Sequence, residues 1–182
     1  EDNYLKLIKE HMVPAFQFRG PVDAREPQIY AGEMPIGDFL TDVIRADTAP
    51  RAVGSYPHAR RVGHLLFLSG IGPRSATDNS IPGNAYDADG GLACYDIVAQ
   101  CHSVFANVRA VLEASGASWN DLVDVTVYLT DMTRDFKAYN AVWAEYFPDP
   151  AHAPCRTTLG ITALPTPIAI ELKCIAAFKS AV

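Results

Sequence analysis

The spacing of apolar residues between positions 93 and 177 constrains the fold most, because it changes between helical and strand periodicity. From Ala93 to Ala114 apolar side chains recur every three or four residues, and Ser115-Gly116 follows as a typical helix end. From Val123 to Thr130 apolar and polar residues alternate, which predicts a half-buried strand. Three further elements show the same two kinds of pattern: a helix at Arg134–Phe147 and strands at Arg156–Thr162 and Ile168–Ala177.

The preceding segment adds two strands and a loop. Ala59–Ser69 predicts a β-hairpin that turns at Gly63, and residues 78–91, rich in Asp, Asn, Gly and Pro, predict a surface loop. The predicted order β-β-α-β-α-β-β is typical of an α+β protein with a mixed sheet and two helices on one face. Because the other face then needs cover, we expect the chain to form a homo-oligomer.

Residues 1–48 are interpreted as an N-terminal arm, and residues 49–182 as the main domain. Residues 1–50 contain five Lys or Arg and nine Asp or Glu, so they hold four of the six net negative charges of the 182-residue chain. Prolines break this segment repeatedly, yet large apolar residues recur through it, which is not typical of a disordered tail. We expect these residues to pack against the main domain or a neighbouring subunit.

Charge and residue spacing argue against several classes of protein. The net charge of −6, with no basic cluster beyond Arg60-Arg61, argues against a nucleic-acid partner. The longest stretch without a charge, Thr157–Ile170, has fourteen residues and two prolines, whereas a membrane helix needs about 20 residues, so no membrane partner is expected. The four cysteines and five histidines lack metal-binding spacing, which predicts free thiols, no metal and a cytoplasmic location.

Arg156 and Glu171 are the strongest candidates for a functional site. Arg156 opens a small or apolar strand, where its planar guanidinium could bind a carboxylate or equally serve as a structural arginine. Glu171 interrupts an apolar strand, and partial burial would raise its pKa as a general acid or base requires, although such glutamates more often pair with a cation. Antiparallel pairing of the last two strands would bring both residues together, as a site for a small carboxylic acid.

Three other polar residues could belong to the same site. Ser69 lies at a glycine-rich bend, Tyr56 precedes a proline and Asn140 lies on a predicted helix. Each alone is more often structural: a turn hydroxyl for Ser69, a half-buried aromatic ring for Tyr56, and a helix-surface amide or cap for Asn140. Ser69 stands in Leu-Ser-Gly-Ile-Gly, which lacks the G-x-S-x-G pattern of hydrolases with a serine nucleophile.

Several short motifs between residues 49 and 179 occur in an order that matches a known protein family. They are Leu66–Gly70, Gln100, Asn107-Val108, Asp124–Leu129, Tyr139-Asn140, Cys155–Thr158, Ala163–Pro165 and Ile170-Glu171. Together they resemble the reactive-intermediate deaminases of the RidA/YjgF type. The resemblance implies a chorismate-mutase-like α+β fold, a homotrimer with three sites at subunit interfaces, and neither a metal nor an organic cofactor. It leaves open whether trimers pair into hexamers.

The resemblance also implies a role for each candidate residue. Arg156 would bind the substrate carboxylate, and Glu171 would manage the attacking water. Tyr56, Ser69, Gly70 and Asn140 fall where the family lines its pocket, with Tyr56 reaching a neighbouring subunit. Two features depart from the usual pattern: the N-terminal arm, and Lys173 where many members have a second glutamate.

Within the family, Ser55–Arg61 and Asn79–Gly83 look most like 2-aminomuconate deaminases of aromatic-acid catabolism. Such enzymes would convert the enamine of 2-aminomuconate into the 2-oxo acid, 4-oxalocrotonate, and ammonia. The second substrate carboxylate then needs a cation, for which Arg60, Arg61 and Arg74 are available, and Arg61 is the predicted ligand. The alternatives are a general deaminase of 2-aminoacrylate-type enamines and imines, and a ligand-binding or chaperone-like trimer without catalysis.

Overall fold

The computed structural model describes residues 42–178, and the arm predicted at residues 1–48 lies outside the described residues except for 42–48. The described part is an α+β fold with a mixed six-stranded sheet, a two-stranded ribbon and two helices. The strands are β1 (Val43–Ile44), β2 (Ala59–Val62), β3 (Leu65–Leu68), β4 (Ala85–Tyr86), β5 (Leu92–Cys94), β6 (Leu122–Leu129), β7 (Cys155–Gly160) and β8 (Ile170–Ala177). The helices are α1 (Ile97–Ala114) and α2 (Met132–Tyr146).

The strands of the main sheet lie in the order β1-β2-β3-β8-β6-β7. All neighbours are antiparallel except β6 and β7, which are parallel. The predicted pairing of the last two strands is therefore wrong, because β6 lies between β7 and β8. The physical reason is α2, which returns the chain to the end of the sheet where β6 began and so makes β7 parallel to β6.

Local capping explains where the structure departs from the predicted elements around α1. The helix begins at Ile97 rather than Ala93 because the Asp96 side chain accepts hydrogen bonds from the main-chain N–H groups of Val98 (2.9 Å) and Ala99 (3.2 Å). The residues before Asp96 instead form β5, which pairs with β4 inside the predicted loop. The end of α1 matches the prediction, and Gly116 adopts the left-handed φ of +75°.

The two faces of the sheet differ strongly in burial. From Val125 to the end of β6, and along all of β8, every second side chain is buried and the residues between are half-buried. The buried set includes Val125, Val127, Leu172 and Cys174, each at most 1% exposed. On the second face of the sheet β6 presents Thr126 and Tyr128, and β8 presents Glu171 and Lys173. Glu171 therefore lies on the face opposite the helices.

Residues 42–178 contain no membrane-spanning helix, no metal-binding cluster and no disulfide bond. No helix of this region is long and apolar enough to cross a membrane. No group of three or more His, Cys, Asp or Glu residues there could hold a metal ion. All four cysteines lie in this region, and all are free thiols.

Two polar side chains of α1 anchor the segment before β8 and the segment after β3. The fully buried Gln100 accepts a hydrogen bond from the Ala169 main-chain N–H (2.7 Å) and donates one to Asn84 Oδ1 (2.8 Å). Two helical turns further along, Asn107 Nδ2 donates hydrogen bonds to the main-chain oxygens of Gly72 and Arg74, both at 2.8 Å. Because buried polar groups must be hydrogen-bonded, these contacts fix the segments before β8 and after β3.

Replacement of Gln100 tests this anchoring. We expect Gln100→Leu to lower the free energy of unfolding by about 1–3 kcal/mol, because the buried Ala169 N–H loses its acceptor. Denaturant unfolding at fixed protein concentration measures the change. Glu113→Leu, on the exposed surface of the same helix, is the control and should stay within about 0.5 kcal/mol of the native chain. Equal effects of the two substitutions would contradict the anchoring role.

Candidate active site

A cleft of about 140 Å³ opens beside Glu171, where the bend after β3 passes β8. The bend is joined to β8 by two main-chain hydrogen bonds of 2.9 Å between Ile71 and Leu172. Residues from four segments line the cleft: Val53, Tyr56, Gly70, Gly72, Arg74, Pro165, Thr166 and Glu171. The structure therefore brings together three of the predicted site residues, Glu171, Gly70 and Tyr56.

Gly70 allows the bend to lie directly over the Glu171 carboxyl group. A Cβ atom built on Gly70 would overlap Glu171 Oε1 and would lie 2.8 Å from the carboxyl carbon. Any larger residue at this position would therefore displace the carboxylate or the bend. Glycine at this position therefore permits the carboxyl group to lie this close to the bend.

The Glu171 side chain has the properties of a general acid or base. It is half-buried, and burial raises the pKa of its carboxyl group above the ordinary value of 4.5. Among residues 42–178 no side chain or main-chain group pairs with this carboxylate. Lys173, its neighbour on the same face, instead donates a hydrogen bond to the main-chain oxygen of Leu68. The carboxylate is thus available to a ligand in the cleft.

Ser69 supports the wall of the cleft that carries Tyr56. Its hydroxyl group donates a hydrogen bond to the main-chain oxygen of Pro57 (2.7 Å), and its N–H donates to the oxygen of His58 (2.9 Å). The His58 ring accepts a hydrogen bond at Nδ1 from the Ala46 N–H (3.0 Å), so Nε2 carries the proton and donates to the Pro50 oxygen (2.9 Å). Ser69 therefore holds the segment next to Tyr56 in place.

Arg156 lies on the other face of the sheet and away from this cleft. Its register partner on β6 is the buried Val125, and its guanidinium lies 4.8 Å from the Trp143 ring and 5.5 Å from the Tyr139 ring, both on α2. Its Nη1 atom is buried without a hydrogen-bond partner among residues 42–178. A buried guanidinium nitrogen without a partner is a strong donor for an anionic ligand.

Arg156 and Glu171 therefore do not meet within one chain. Glu171 pairs with Tyr128 on β6, whereas Arg156 pairs with Val125, three residues away and on the opposite face. The sequence argument that placed them side by side relied on the incorrect pairing of β7 with β8. A site that uses both residues requires two copies of the chain.

Two other predicted residues are not brought to the cleft. Asn140 is exposed on the surface of α2. Arg61 lies near the turn of the β2–β3 hairpin, where its Nε donates to the Gly63 oxygen (3.0 Å) and its guanidinium lies 4.2 Å from the Phe178 ring. The predicted hairpin already implies that Arg61 lies away from the cleft. Arg61 comes two residues before the turn at Gly63, whereas Ser69 and Gly70 lie at the opposite end of the hairpin.

Sequence reasoning missed the role of two residues, Gln100 and Asn107, which anchor the walls of the cleft. Arg74, one of the three cations considered for the second carboxylate, lines the cleft. The seven-residue interval between the two amides places them on one face of α1, close to the apolar stripe, and this was the available signal. Arg74 follows Gly70 by four residues, within the same bend.

Comparison with known proteins agrees with this geometry. The family model described as endoribonuclease L-PSP matches residues 46–178. The chain is 32% identical over 155 residues to the chloroplastic Reactive Intermediate Deaminase A of Arabidopsis thaliana, an alignment that covers 85% of this chain and 75% of the relative. It is 33% identical over 134 residues to the 2-iminobutanoate/2-iminopropanoate deaminase of Dermatophagoides farinae, covering 73% of this chain and 93% of the relative.

The fold is shared with solved structures as well. The crystal structure of RidA from the Antarctic bacterium Psychrobacter superposes with a TM-score of 0.64 and 31% sequence identity. The superposition covers 75% of this chain and 99% of that chain. The family model and the relatives together show that this chain belongs to the RidA/YjgF family, also described as endoribonuclease L-PSP.

Proposed function

We propose that this protein is a hydrolytic deaminase of 2-enamino and 2-imino acids. The observation that carries the proposal is the half-buried, unpaired Glu171 carboxylate in a cleft beneath Gly70, with its pKa raised by burial. The names of two relatives, a reactive intermediate deaminase and a 2-iminobutanoate/2-iminopropanoate deaminase, support this class of reaction. Both names describe removal of nitrogen from a reactive small molecule.

The reaction requires one group that transfers protons and another that binds the substrate carboxylate. A 2-enamino acid tautomerises to a 2-imino acid, and water adds to the C=N carbon while Glu171 accepts a proton from the water. Glu171 then returns that proton to the nitrogen, which gives a carbinolamine. The proton of the carbinolamine hydroxyl group next passes to the nitrogen through Glu171, the C=O bond forms as the C–N bond breaks, and the 2-oxo acid and ammonia are released. The guanidinium group of Arg156 would fix the substrate carboxylate beside the reacting carbon.

The site in this proposal is shared between two copies of the chain. Arg156 of one copy, on the edge strand β7, would complete the cleft that holds Glu171 of the next copy. The second face of the sheet, with Phe67 and Ile175 half-buried and Leu65 and Leu159 exposed, offers apolar surface for such an assembly. A closed homotrimer with three equivalent interface sites is the arrangement we propose.

The physiological substrate proposed is 2-aminomuconate, converted to 4-oxalocrotonate and ammonia. The similarity of residues 55–61 and 79–83 to 2-aminomuconate deaminases supports this substrate. Residues 79–83 continue the bend that carries Arg74, whose guanidinium Nη1 donates to Asn79 Oδ1 (3.0 Å). Smaller 2-imino acids, such as those in the name of the mite relative, are the second candidate class.

The pH dependence of the reaction tests the role of Glu171. Because only the carboxylate accepts a proton from water, and burial raises its pKa, we expect kcat/KM to fall with decreasing pH, with a midpoint above 4.5. Glu171→Gln should lower kcat by about 100-fold or more and remove this limb of the profile. Ammonia release from 2-enamino acids generated in situ measures both effects.

The matched control is Glu145→Gln, the same exchange at an exposed position on α2. It should leave kcat and the pH profile unchanged. Native kcat in Glu171→Gln would contradict the proposed proton transfer. A folded native protein that releases no ammonia from any 2-enamino acid would contradict the proposed function and would favour a ligand-binding role.

Removal of the Arg156 guanidinium tests whether Arg156 binds the substrate carboxylate. We expect Arg156→Ala to lower kcat/KM by about 30-fold or more, since a charge-assisted contact with a buried partner is worth about 2 kcal/mol or more. Arg109→Ala is the control, because Arg109 also lies against an aromatic ring, 5.2 Å from Trp119, but on the exposed surface of α1. Similar losses in the two variants would show that Arg156 acts only through packing.

A further inference from the structure

Arg74 is the cationic residue among those that line the Glu171 cleft. Its half-buried side chain comes from the bend that also carries Gly70 and Gly72. A cation here shares the cleft with a half-buried carboxylate, yet the two do not form an ion pair. The charge of Arg74 is therefore not explained by neutralisation of Glu171.

The position of Arg74 is fixed from both its main chain and its side chain. Its main-chain oxygen accepts a hydrogen bond from the buried Asn107 (2.8 Å), and the preceding oxygen, of Pro73, accepts one from the Ser103 hydroxyl (2.6 Å). Its Nη1 donates to Asn79 Oδ1 (3.0 Å) and its Nη2 to the Arg51 main-chain oxygen (2.6 Å). The guanidinium is thus held in one orientation before any ligand arrives.

Both side-chain partners of Arg74 are neutral oxygens. A guanidinium has five N–H donors, and two are used here, so Nε and one hydrogen on each terminal nitrogen are left for a ligand. No carboxylate among residues 42–178 pairs with this cation. A cation held rigidly in a cleft, with free donors and no acidic partner, is suited to an anionic ligand.

We propose that Arg74 binds the second carboxylate of a dicarboxylic 2-enamino acid and so determines which substrates the cleft accepts. The inference rests on the proposed function and assigns the two substrate carboxylates to two different arginines. Arg156 of a second copy holds the carboxylate next to the reacting carbon, and Arg74 holds the distal one. Val53, Tyr56 and Pro165 line the same cleft and provide an apolar wall for the hydrocarbon chain between the two carboxylates.

Charge balance supports a cation at this position. A dicarboxylic substrate carries two negative charges into a cleft that already contains the Glu171 carboxylate, and the resulting repulsion strengthens as water is excluded. Arg156 can offset one charge, and Arg74 offsets the other. A monocarboxylic substrate requires only Arg156, so the contribution of Arg74 depends on the substrate.

The test compares two substrates on one set of variants. The probes are 2-aminomuconate, generated in situ, and 2-aminoacrylate, which lacks the distal carboxylate. We expect Arg74→Gln to lower kcat/KM for 2-aminomuconate by about 10- to 100-fold, mainly through KM, and to change it less than about twofold for 2-aminoacrylate. Arg74→Lys, which keeps the charge but lacks the planar fork, should give an intermediate loss on 2-aminomuconate alone.

Two controls separate substrate binding from a structural role. Asn79→Gly removes the Nη1 acceptor but suits the left-handed backbone there (φ +60°), and the Arg51 oxygen still holds Nη2. It should therefore reduce the preference for 2-aminomuconate over 2-aminoacrylate much less than Arg74→Gln does. Arg109→Gln removes a positive charge outside the cleft and should affect neither substrate. Equal losses on both substrates in Arg74→Gln would overturn the inference and indicate a structural role.

The inference and the proposed function can fail separately. Turnover of 2-aminoacrylate but not 2-aminomuconate by the native protein would overturn the assignment of Arg74 and leave the deaminase proposal standing. Unchanged turnover of 2-aminomuconate in Arg74→Gln would also overturn it. Release of ammonia from neither substrate would contradict the proposed function itself.

Discussion

Two amide side chains of α1, Gln100 and Asn107, hold both walls of the Glu171 cleft through hydrogen bonds to main-chain groups. Asn107 fixes the bend that carries Gly70 and Arg74, and Gln100 fixes the segment that leads into β8. Because these amides are buried, loss of either set of bonds would leave polar groups without partners, which is costly in a protein interior. The relative position of the bend and Glu171 is therefore determined by the core of the protein.

This support from the core explains how a carboxylate can remain unpaired beside a bend of irregular structure. Gly70 lets the bend approach Glu171 closely, and the approach buries the carboxylate and raises its pKa. The helices cover the opposite face, so within residues 42–178 this cleft opens on the side of the sheet that the helices leave uncovered. Arg156 lies on the helix-covered face at the edge strand, where its buried Nη1 atom lacks a partner among residues 42–178. In the proposed assembly, each active site takes Glu171 from one copy of the chain and Arg156 from another.

The periodicity of the sequence predicts the long elements well, since β6, β8 and both helices each repeat their pattern over several turns or pairs of residues. It misses β1 and the β4–β5 ribbon, because strands of two or three residues are too short to show alternation. The partner of β7 could not be deduced from residue type, because neighbours in a sheet depend on how the intervening helix crosses it. That error placed Arg156 beside Glu171. Arg61 lies away from the cleft for a different reason: the hairpin register separates Arg61 from the bend, and this register was not applied to it.

In the proposed assembly, one active site combines Arg156 of one chain with Glu171 of another. This arrangement is tested most directly by assembling Arg156→Ala chains and Glu171→Gln chains, carrying different affinity tags, into mixed oligomers purified through both tags. In a closed trimer every mixed assembly contains one interface with both native residues, so we predict about one third of native ammonia release. Either variant assembled alone should remain nearly inactive. Mixed assemblies no more active than the separate variants would contradict a site shared between chains.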